Sequence, residues 1–425
     1  MHEPGTKPRI VVIGLGYVGL PLAVALARHF TVTGFDTDDR RVAELGQGTD
    51  RTGEIETADL QSSPLELSSS EADCRGADIY IVTVPTPVDE KNRPDLGAVL
   101  AATGMIGRVA DPARRPTVVY ESTVYPGVTE DVCGAALEEA GLVRGRDFRL
   151  GYSPERINPG DRVHSIDKSV KVVAGEDAEV LGQLAEVYGV VTSAGVFQAA
   201  SIKAAEAAKV IENAQRDINV AFMNEVAQIM GGIGVSMWDV LAAARTKWNF
   251  MGFEPGLVGG HCIGVDPYYL SHLAQKLGHH PQVILAGRET NDGMGRWIAD
   301  RLHAHRGGKA GTALVLGLTF KENVPDLRNS RSADLIERLE ELGYRVSVAD
   351  PHAQPDAVRE EFDRDPEEVD GRSFDLVVGA VKHDQYRDLP GERLAALVSP
   401  GGTLADIKAM WRGQALPAHV DYWSL

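Results

Sequence analysis

The sequence has few cysteines and lacks the common metal-binding spacings. Its 425 residues include three cysteines, Cys74, Cys133 and Cys262, which are odd in number and far apart. We therefore expect no disulfide framework, and a reducing cytoplasm suits such thiols. Neither C-x-x-C nor H-E-x-x-H occurs, so the sequence predicts no bound metal.

Positive charge is scarce as well. The 43 lysines and arginines are outnumbered by 61 aspartates and glutamates, which gives a formal net charge of −18. An acidic surface repels nucleic acid and anionic membranes, so we expect neither as a main partner. An anionic small ligand is not excluded, because it needs only a local positive site.

One long uncharged run lies near the N-terminus. Lys7 and Arg9 precede 18 uncharged residues, IVVIGLGYVGLPLAVALA. Such a run resembles a signal peptide or a membrane span. Three glycines and a proline within it favour instead a buried strand, a glycine turn and an apolar helix in succession. We therefore expect a cytoplasmic protein.

The same run carries a dinucleotide-binding fingerprint. Gly14, Gly16 and Gly19 form G-x-G-x-x-G directly after the apolar run 9–13. In a Rossmann turn these glycines allow the tight turn, the approach of a pyrophosphate and close helix packing, and the helix start offers N–H groups to phosphates. Asp36 follows Gly16 by 20 residues. A carboxylate there binds a ribose diol and repels a 2′-phosphate, which predicts NAD rather than NADP.

Further apolar runs end in small, hydroxyl-bearing or charged residues. Because the carboxyl ends of parallel strands meet at the ligand-binding edge of a sheet, we expect these residues on the nicotinamide side. They are Thr83, Pro85 and Thr86 after one run, Ser122 and Thr123 after the next, and Glu155 and Arg156 after a third. For an isolated Ser or Thr, a turn or a helix cap is the alternative.

The middle of the chain predicts one long helix followed by a binding loop. Residues 199–230 contain neither proline nor glycine and are rich in alanine, and so long a helix suggests a dimer-forming connector. Lys209 and Asn213 share one helix face, where they offer a charge and an amide donor to a developing oxyanion. A solvent-exposed, ion-paired face is the alternative.

Cys262 stands in a loop that is too rich in glycine and proline for a regular element. Five glycines and two prolines lie between Gly252 and Pro267, and Asp266 follows the cysteine by four residues. A helix start beside a thiol favours the reactive thiolate. A small buried hydrophobic residue is the alternative interpretation.

The C-terminal third repeats the strand–turn–helix–strand pattern without the fingerprint. TALVLG and YRVSVAD predict strands around a helix, and only Gly317 remains of the glycine turn. Further strands are predicted at FDLVVGAV and GTLADIK. The loop 320–331 carries Lys321, Arg328 and Arg331 in an otherwise acidic chain, and such local charge suits a nucleotide diphosphate.

These patterns predict an α/β protein with two Rossmann-like, doubly wound parallel-sheet domains joined by an all-α central domain with a long helix. We predict a NAD-binding domain at 1–198, a central helical domain at 199–305 and a second Rossmann-like domain at 306–425.

Several motifs in one order resemble a known family. They are GLGYVGLPLA, VPTP, ESTVYPG, SPERINPGD, AEAAKVIEN, GLVGGHCIGVDPYYL and GLTFKENVPDLRNSR. Over nearly its whole length the chain resembles the nucleotide-sugar 6-dehydrogenases, the group that contains UDP-glucose and GDP-mannose dehydrogenases. ESTVYPG, SPERINPGD and KWNF are similar to the branch that acts on UDP-N-acetylhexosamines, as in bacterial surface polysaccharide pathways.

The resemblance implies roles for individual residues. The implied catalytic groups are a thiol, its nearby carboxylate, an oxyanion-stabilising pair and two groups that hold or activate a water: Cys262, Asp266, Lys209, Asn213, Thr123 and Glu155. The implied cofactor-binding residues are Gly14, Gly16, Tyr17, Val18, Gly19, Asp36, Arg41, Thr83, Pro85, Thr86, Ser122, Thr123 and Arg328. The implied substrate-binding residues are Glu155, Arg156, Lys209, Asn213, Lys247, Asn249, Phe253, Gly256, Gly259, Lys321 and Lys408.

Two positions stay open within the resemblance. Lys408 stands where some members have an arginine, so bidentate hydrogen bonding is lost there. The family also uses a basic residue from a partner subunit, for which Arg245 and Lys247 are both candidates, in a homodimer formed through the central helices.

The implied reaction is the four-electron oxidation of a sugar C6 hydroxyl to a carboxylate by two NAD⁺, through a thiohemiacetal and a thioester of Cys262. N-acetylglucosamine and N-acetylgalactosamine are the expected sugars, and UDP-glucose is the alternative. A two-electron hydroxyacid-type dehydrogenase and a non-catalytic NAD-sensing protein are the competing functions.

Overall fold

The fold is known from a computed structural model, which describes residues 7–156, 166–260, 263–367, 369 and 371–425. The predicted nucleophile Cys262 therefore lies outside the described residues. The chain divides into two compact units, Met1–Glu212 with Tyr268–Gly278, and Asn213–Pro267 with His279–Leu425. The three domains predicted from the sequence stay a prediction.

The first unit is built around a mainly parallel sheet. Its strands are β1 (Arg9–Ile13), β2 (Thr31–Phe35), β3 (Glu66–Ser68), β4 (Ile79–Val82), β5 (Thr117–Tyr120), β6 (Arg149–Tyr152), β7 (Lys171–Gly175) and β8 (Val196–Gln198). In the described residues their order is β3-β2-β1-β4-β5-β6-β7-β8. Neighbouring strands pair in parallel, except that β7 runs antiparallel to β6.

Helices connect these strands. They are α1 (Gly19–Ala27), α2 (Asp39–Gly46), α3 (Thr57–Ser62), α4 (Gly97–Val109), α5 (Gly134–Glu139) and α6 (Ala178–Gly189). Shorter 3-10 or π turns occupy Glu71–Cys74, Pro112–Arg114 and Val128–Cys133.

The uncharged N-terminal run is a strand, a turn and a helix, as the sequence predicts. The four apolar residues of β1 after Arg9 are buried, and nearly every residue of α1 is buried too. The nine residues of α1 reach about 13 Å at 1.5 Å each, far short of a bilayer core of roughly 30 Å. Among the described residues, no helix combines the length and apolarity needed to cross a membrane.

Within the described residues, four helices come between the last strand of the first sheet and the first strand of the second. They are α7 (Ile202–Gly232), α8 (Met237–Ala244), α9 (Asp266–Lys276) and α10 (Gln282–His305). The long helix predicted over 199–230 is α7, which begins three residues later and runs on through Gly231 and Gly232. Its 31 residues span about 46 Å at 1.5 Å per residue.

The second unit contains a fully parallel sheet. Its strands are β9 (Thr312–Leu316), β10 (Arg345–Ala349), β11 (Phe374–Gly379), β12 (Val398–Asp406) and β13 (Asp421–Ser424), in the order β10-β9-β11-β12-β13 within the described residues. Its helices are α11 (Ser332–Glu341), α12 (Pro355–Phe362), α13 (Asp384–Arg387) and α14 (Gly391–Leu397). The predicted fold class, two Rossmann-like sheets with a helical central region, is confirmed.

Candidate active site

The glycine turn after β1 is packed tightly at two of its three glycines. Gly14 has φ +94° and its N–H donates to the Phe35 carbonyl at 2.8 Å. A Cβ at Gly19 would lie 1.9 Å from the Gly14 carbonyl oxygen and 2.3 Å from Thr83 Oγ1. A Cβ at Gly16 would meet no atom within 4 Å. The turn therefore needs Gly14 and Gly19 for its own fold and leaves Gly16 open to a ligand.

This difference predicts opposite results for two alanine variants. Gly16→Ala should leave the thermal midpoint unchanged and weaken NAD binding about tenfold or more, since a methyl group would occupy the approach to the pyrophosphate. Gly19→Ala should instead destabilise the protein by about 1–3 kcal/mol through overpacking. Calorimetric NAD titration and thermal unfolding distinguish the two. Equal loss of stability in both variants would contradict this division of roles.

Asp36 and Arg41 lie beside the turn and fit a bound NAD. Asp36 accepts hydrogen bonds from the backbone N–H of Leu15 at 2.8 Å and of Asp38 at 3.0 Å, and its carboxylate keeps acceptor capacity for a ribose diol. The buried Arg41 donates to Leu15 O at 2.9 Å and pairs with Asp50 at 2.8 Å. Its Nη1 is buried and has no hydrogen-bond partner within the described part of the chain, so a donor remains for an oxygen-rich ligand.

The hydroxyls predicted on the nicotinamide side brace the strand ends. Thr83 Oγ1 lies 3.0 Å from Ile13 O and 2.8 Å from Gly14 O, and Ser122 Oγ donates to Val84 O at 2.7 Å. Other predicted cofactor residues lie near the turn and the strand ends. Tyr17, Thr86 and Thr123 are half-buried. Val18 is buried at the start of α1, and Pro85 is exposed. Their contacts with NAD stay predictions.

A buried group of charges lies at the same sheet edge. Glu155 follows β6 and is buried, whereas its neighbour Arg156 is partly exposed and pairs with Glu212 at 2.8 Å. Glu121 follows β5, and its Oε2 lies 3.2 Å from Nζ of Lys171, the first residue of β7. Glu121 and Lys171 were not predicted from the sequence as site residues. Glu121 directly follows β5 and Lys171 begins β7, and both of these strands are otherwise mostly apolar.

The first turns of α7 bury their polar face. Lys209 is buried, and the fully buried Glu206 accepts hydrogen bonds from the N–H of Gly127 at 2.6 Å and of Thr129 at 2.9 Å. The alternative of a solvent-exposed, ion-paired face is therefore wrong for these residues. The catalytic role of Lys209 stays a prediction.

In the second unit, two predicted catalytic residues are joined directly. Asn213 Nδ2 donates to Asp266 Oδ2 at 2.5 Å, and both side chains are buried. Asp266 is the first residue of α9. The hydrogen bond fixes which way the amide and the carboxylate point.

The same face of α7 holds the loop before Cys262. Asn224 exchanges two hydrogen bonds with the backbone of Gly256, at 2.8 and 3.0 Å. A Cβ at Gly256 would lie 3.1 Å from Lys408 Cδ, and Lys408 Nζ donates to Pro255 O at 3.2 Å. A Cβ at Gly259 would lie 2.6 Å from a backbone oxygen. Both predicted substrate-binding glycines thus stand where this loop packs closely against its neighbours.

The loop that carries Lys321 is fixed by a buried histidine. His383 lies 3.0 Å from Asp350 through Nε2, and its Nδ1 accepts the N–H of Asn323 at 3.0 Å. Thr319 Oγ1 donates to the Lys321 carbonyl at 2.9 Å. The pairing of His383 with Asp350 was not predicted from the sequence, because the two residues are distant in sequence.

The remaining predicted residues of this unit are mostly at the surface. Arg328 is exposed and forms a bidentate pair with Asp326, at 2.6 and 2.9 Å. Arg245 pairs with Glu254 at 2.5 Å. The other predicted substrate contacts are exposed at Lys247 and Asn249 and half-buried at Phe253.

Comparison with known proteins identifies the family. The chain matches the UDP-glucose/GDP-mannose dehydrogenase family over its NAD binding domain at residues 8–192, its central domain at 203–293 and its UDP binding domain at 314–413. The chain belongs to this family. The resemblance, the NAD cofactor and the enzyme class predicted from the sequence are therefore confirmed, and the protein is an NAD-dependent nucleotide-sugar dehydrogenase that takes a UDP-sugar.

Individual members of the dehydrogenase family match almost end to end. The chain is 47% identical to Protein CapL of Staphylococcus aureus, over 98% of this chain and 99% of CapL. It is 45% identical to a UDP-N-acetyl-D-glucosamine 6-dehydrogenase of Pseudomonas aeruginosa, over 94% and 96%. The solved UDP-D-ManNAc dehydrogenase of Pyrococcus horikoshii matches with a TM-score of 0.85 at 25% identity, over 98% of each chain.

Proposed function

We propose that this dehydrogenase oxidises the C6 hydroxyl of a UDP-N-acetylhexosamine, with GlcNAc or GalNAc as the sugar, to the carboxylate. The full-length similarity at 45% identity to a UDP-N-acetyl-D-glucosamine 6-dehydrogenase carries the choice of substrate. The burial of Glu155, Lys209, Asn213 and Asp266 supports the chemistry, because charges and dipoles shielded from water interact more strongly with a developing charge.

The first oxidation needs a base and a held alcohol. NAD, when bound, would supply the acceptor for the hydride that leaves C6. Asp266, oriented by Asn213 at 2.5 Å, takes up the hydroxyl proton, with Lys209 and a water held by Thr123 as further proton carriers. Gly16, Asp36 and the other predicted residues of the glycine turn would hold the cofactor.

The second oxidation proceeds on the enzyme. The Cys262 thiolate attacks the aldehyde carbon and forms a thiohemiacetal, whose oxyanion Lys209 and Asn213 stabilise. Loss of a second hydride from C6, for which a second NAD⁺ would be the acceptor, gives a thioester. Water, deprotonated by Glu155 or Asp266, attacks the thioester, releases the uronic acid and regenerates the thiol. Covalent capture keeps the aldehyde from escaping.

Most of the remaining predicted residues are proposed to bind the substrate. Lys321 and Lys408 supply positive charge for the diphosphate, together with backbone N–H groups of the loop around Gly256 and Gly259. Arg328, now paired with Asp326 at 2.6 Å, is proposed to reach the cofactor when substrate is bound.

An assay of NADH production against a panel of UDP- and GDP-sugars tests the proposal. We expect UDP-GlcNAc or UDP-GalNAc to give the highest kcat/KM and two NADH per uronic acid formed. A preference for UDP-glucose would assign the alternative substrate. One NADH per product, with the aldehyde as the end product, would contradict the four-electron reaction.

We also propose that the protein is a homodimer formed through α7. Ile211, Phe222 and Ile229 are 53%, 57% and 55% exposed, and their spacing of 11 and 7 residues places them on one side of the helix. An exposed apolar stripe of this kind suits an interface between identical chains. If the proposal is correct, light scattering should give a mass in solution equal to that of two chains.

A further inference from the structure

The second unit contains a copy of the glycine turn that follows β1. Gly317 directly follows β9, has φ +103° and donates its N–H to the last residue of β10 at 2.9 Å. Asp350 directly follows β10 and accepts the N–H of Leu318, the residue after the glycine, at 2.6 Å. Gly14 and Asp36 make the corresponding contacts at 2.8 Å each, with β2 in place of β10. Asp350 therefore stands where Asp36 is predicted to bind the ribose of NAD.

The copy differs from the first turn in what the carboxylate contacts. Asp36 is half-buried, whereas the side chains of Asp350 and His383 are fully buried. His383 Nε2 lies 3.0 Å from Asp350 Oδ2. Thr319, which by spacing corresponds to Gly16, donates its backbone N–H to the same carboxylate oxygen at 3.1 Å. In the second unit, therefore, a side chain of the protein itself binds the carboxylate that corresponds to the predicted ribose acceptor.

His383 also holds the loop that follows this turn. Its Nδ1 accepts the backbone N–H of Asn323 at 3.0 Å, so the ring hydrogen is on Nε2 and is donated to Asp350. Asn323 has φ +59°, and its Oδ1 accepts the backbone N–H of the residue after His383 at 3.0 Å. Asp350 and His383 thus bind the two ends of residues 318–323, the clamped segment, in which Lys321 lies.

The clamped segment carries the predicted diphosphate contact and packs against a second predicted substrate loop. Thr319 Oγ1 donates to the backbone carbonyl of Lys321 at 2.9 Å. The N–H of Phe320 donates to Asp326 O at 3.0 Å. A Cβ at Gly260 would lie 2.7 Å from the Phe320 ring, so the glycine loop closely approaches this segment. A shift of the segment would therefore displace Lys321 and disturb the glycine loop together.

We propose that His383 is a positioning residue for nucleotide-sugar binding, which holds the clamped segment so that Lys321 meets the diphosphate. The inference rests on the proposed function, which assigns that contact to Lys321. A loop that is already ordered loses less conformational entropy when a ligand binds, so the clamp should act on affinity for the nucleotide. His383 touches neither substrate nor cofactor in this scheme.

Binding of UDP to variants of the clamp tests the inference. His383→Ala removes the partner of the Asn323 N–H and should raise the Kd of UDP about tenfold. His383→Asn returns an acceptor at the place of Nδ1 and should recover most of that loss. Thr319→Val keeps the side-chain shape, removes the hydrogen bond to the Lys321 carbonyl and should raise the Kd about threefold. Isothermal titration calorimetry measures each value, and the Kd of NAD should stay unchanged.

Steady-state kinetics and a surface variant separate positioning from a loss of structure. In the clamp variants the KM for the UDP-sugar should rise while kcat at saturation stays close to the wild-type value. His305→Ala is the matched control, because His305 pairs with Asp421 at 2.7 Å in a partly exposed position of the same unit, and it should leave the Kd of UDP unchanged. If His383→Ala fails to fold, His383→Asn and Thr319→Val still give the comparison. UDP and NAD affinities that fall equally in the folded clamp variants would overturn the inference.

A double-mutant cycle shows whether the clamp acts through Lys321. Lys321→Ala should by itself raise the Kd of UDP about tenfold, since it removes a charge-assisted contact. In that background Thr319→Val and His383→Ala should add little, because the group that they position is gone. Effects that simply multiply would mean that the clamp acts independently of Lys321, and would overturn the inference.

The same measurements distinguish failure of the inference from failure of the proposed function. If Lys321→Ala leaves UDP binding unchanged, the contact assigned to Lys321 is wrong and the inference falls with it. If Lys321→Ala weakens UDP binding while neither clamp variant does, the assigned contact stands and only the inference fails. The oxidation itself is judged separately by NADH production, because UDP binds without being oxidised.

Discussion

Replacement of Cys262 by serine is expected to abolish acid formation while NAD and UDP-sugar still bind. A serine hydroxyl is a far weaker nucleophile than a thiolate at neutral pH, so the aldehyde is not captured and no thioester forms. By comparison with other covalent catalysts, kcat for acid should fall by about 10³-fold or more. At most one NADH should form per sugar, and the sugar product should stay at the oxidation level of the aldehyde.

The other two cysteines provide the matched controls. Cys74 and Cys133 are fully buried, and burial raises the pKa of each thiol to about 12, so both stay protonated and inert. Cys74→Ala and Cys133→Ala should lose some stability and keep two NADH per acid. Two NADH per acid from Cys262→Ser would remove the covalent step from the mechanism.

Local patterns in the sequence predict the parts of this structure that depend on neighbouring residues. The glycine spacing identified the turn at Gly14, because a positive φ and a close helix approach are needed within six residues. Continuous apolar runs located β1, β4 and β5, since strands buried on both faces leave no polar alternation. The long helix was predicted from its high alanine content and from the absence of proline and glycine.

Tertiary pairing was not predictable in the same way. Lys171 and Glu121 are 50 residues apart, and their meeting depends on the reversed direction of β7, for which no local signal exists. His383 and Asp350 meet across 33 residues, because they follow β11 and β10, which both pair in parallel with β9. A weaker signal existed on α7, where Asn213 and Asn224 continue the polar face of Lys209 at helical spacing.

Asp217, on that same face of α7, anchors α10 through a fully buried ion pair. Arg288 Nη1 lies 2.6 Å from Asp217 Oδ1, and Asn291 donates to the same oxygen at 2.8 Å. Arg288 also pairs with Asp292, which in turn lies 2.6 Å from Arg331. A network of this kind holds the helix that carries Asn213 and Asn224, and therefore the loop that leads to Cys262.

Asp217→Ala should destabilise the protein by about 3–5 kcal/mol, since it removes the fully buried carboxylate partner of the buried Arg288 guanidinium. Glu341→Gln is the matched surface control, because Glu341 of α11 lies 2.6 Å from Arg296 of α10 in an exposed ion pair, and it should cost less than about 1 kcal/mol. Urea unfolding measures both. The double variant Asp217→Leu with Arg288→Met removes both charges and should regain most of the loss. A double variant as unstable as Asp217→Ala would mean that shape rather than charge compensation holds α7 to α10.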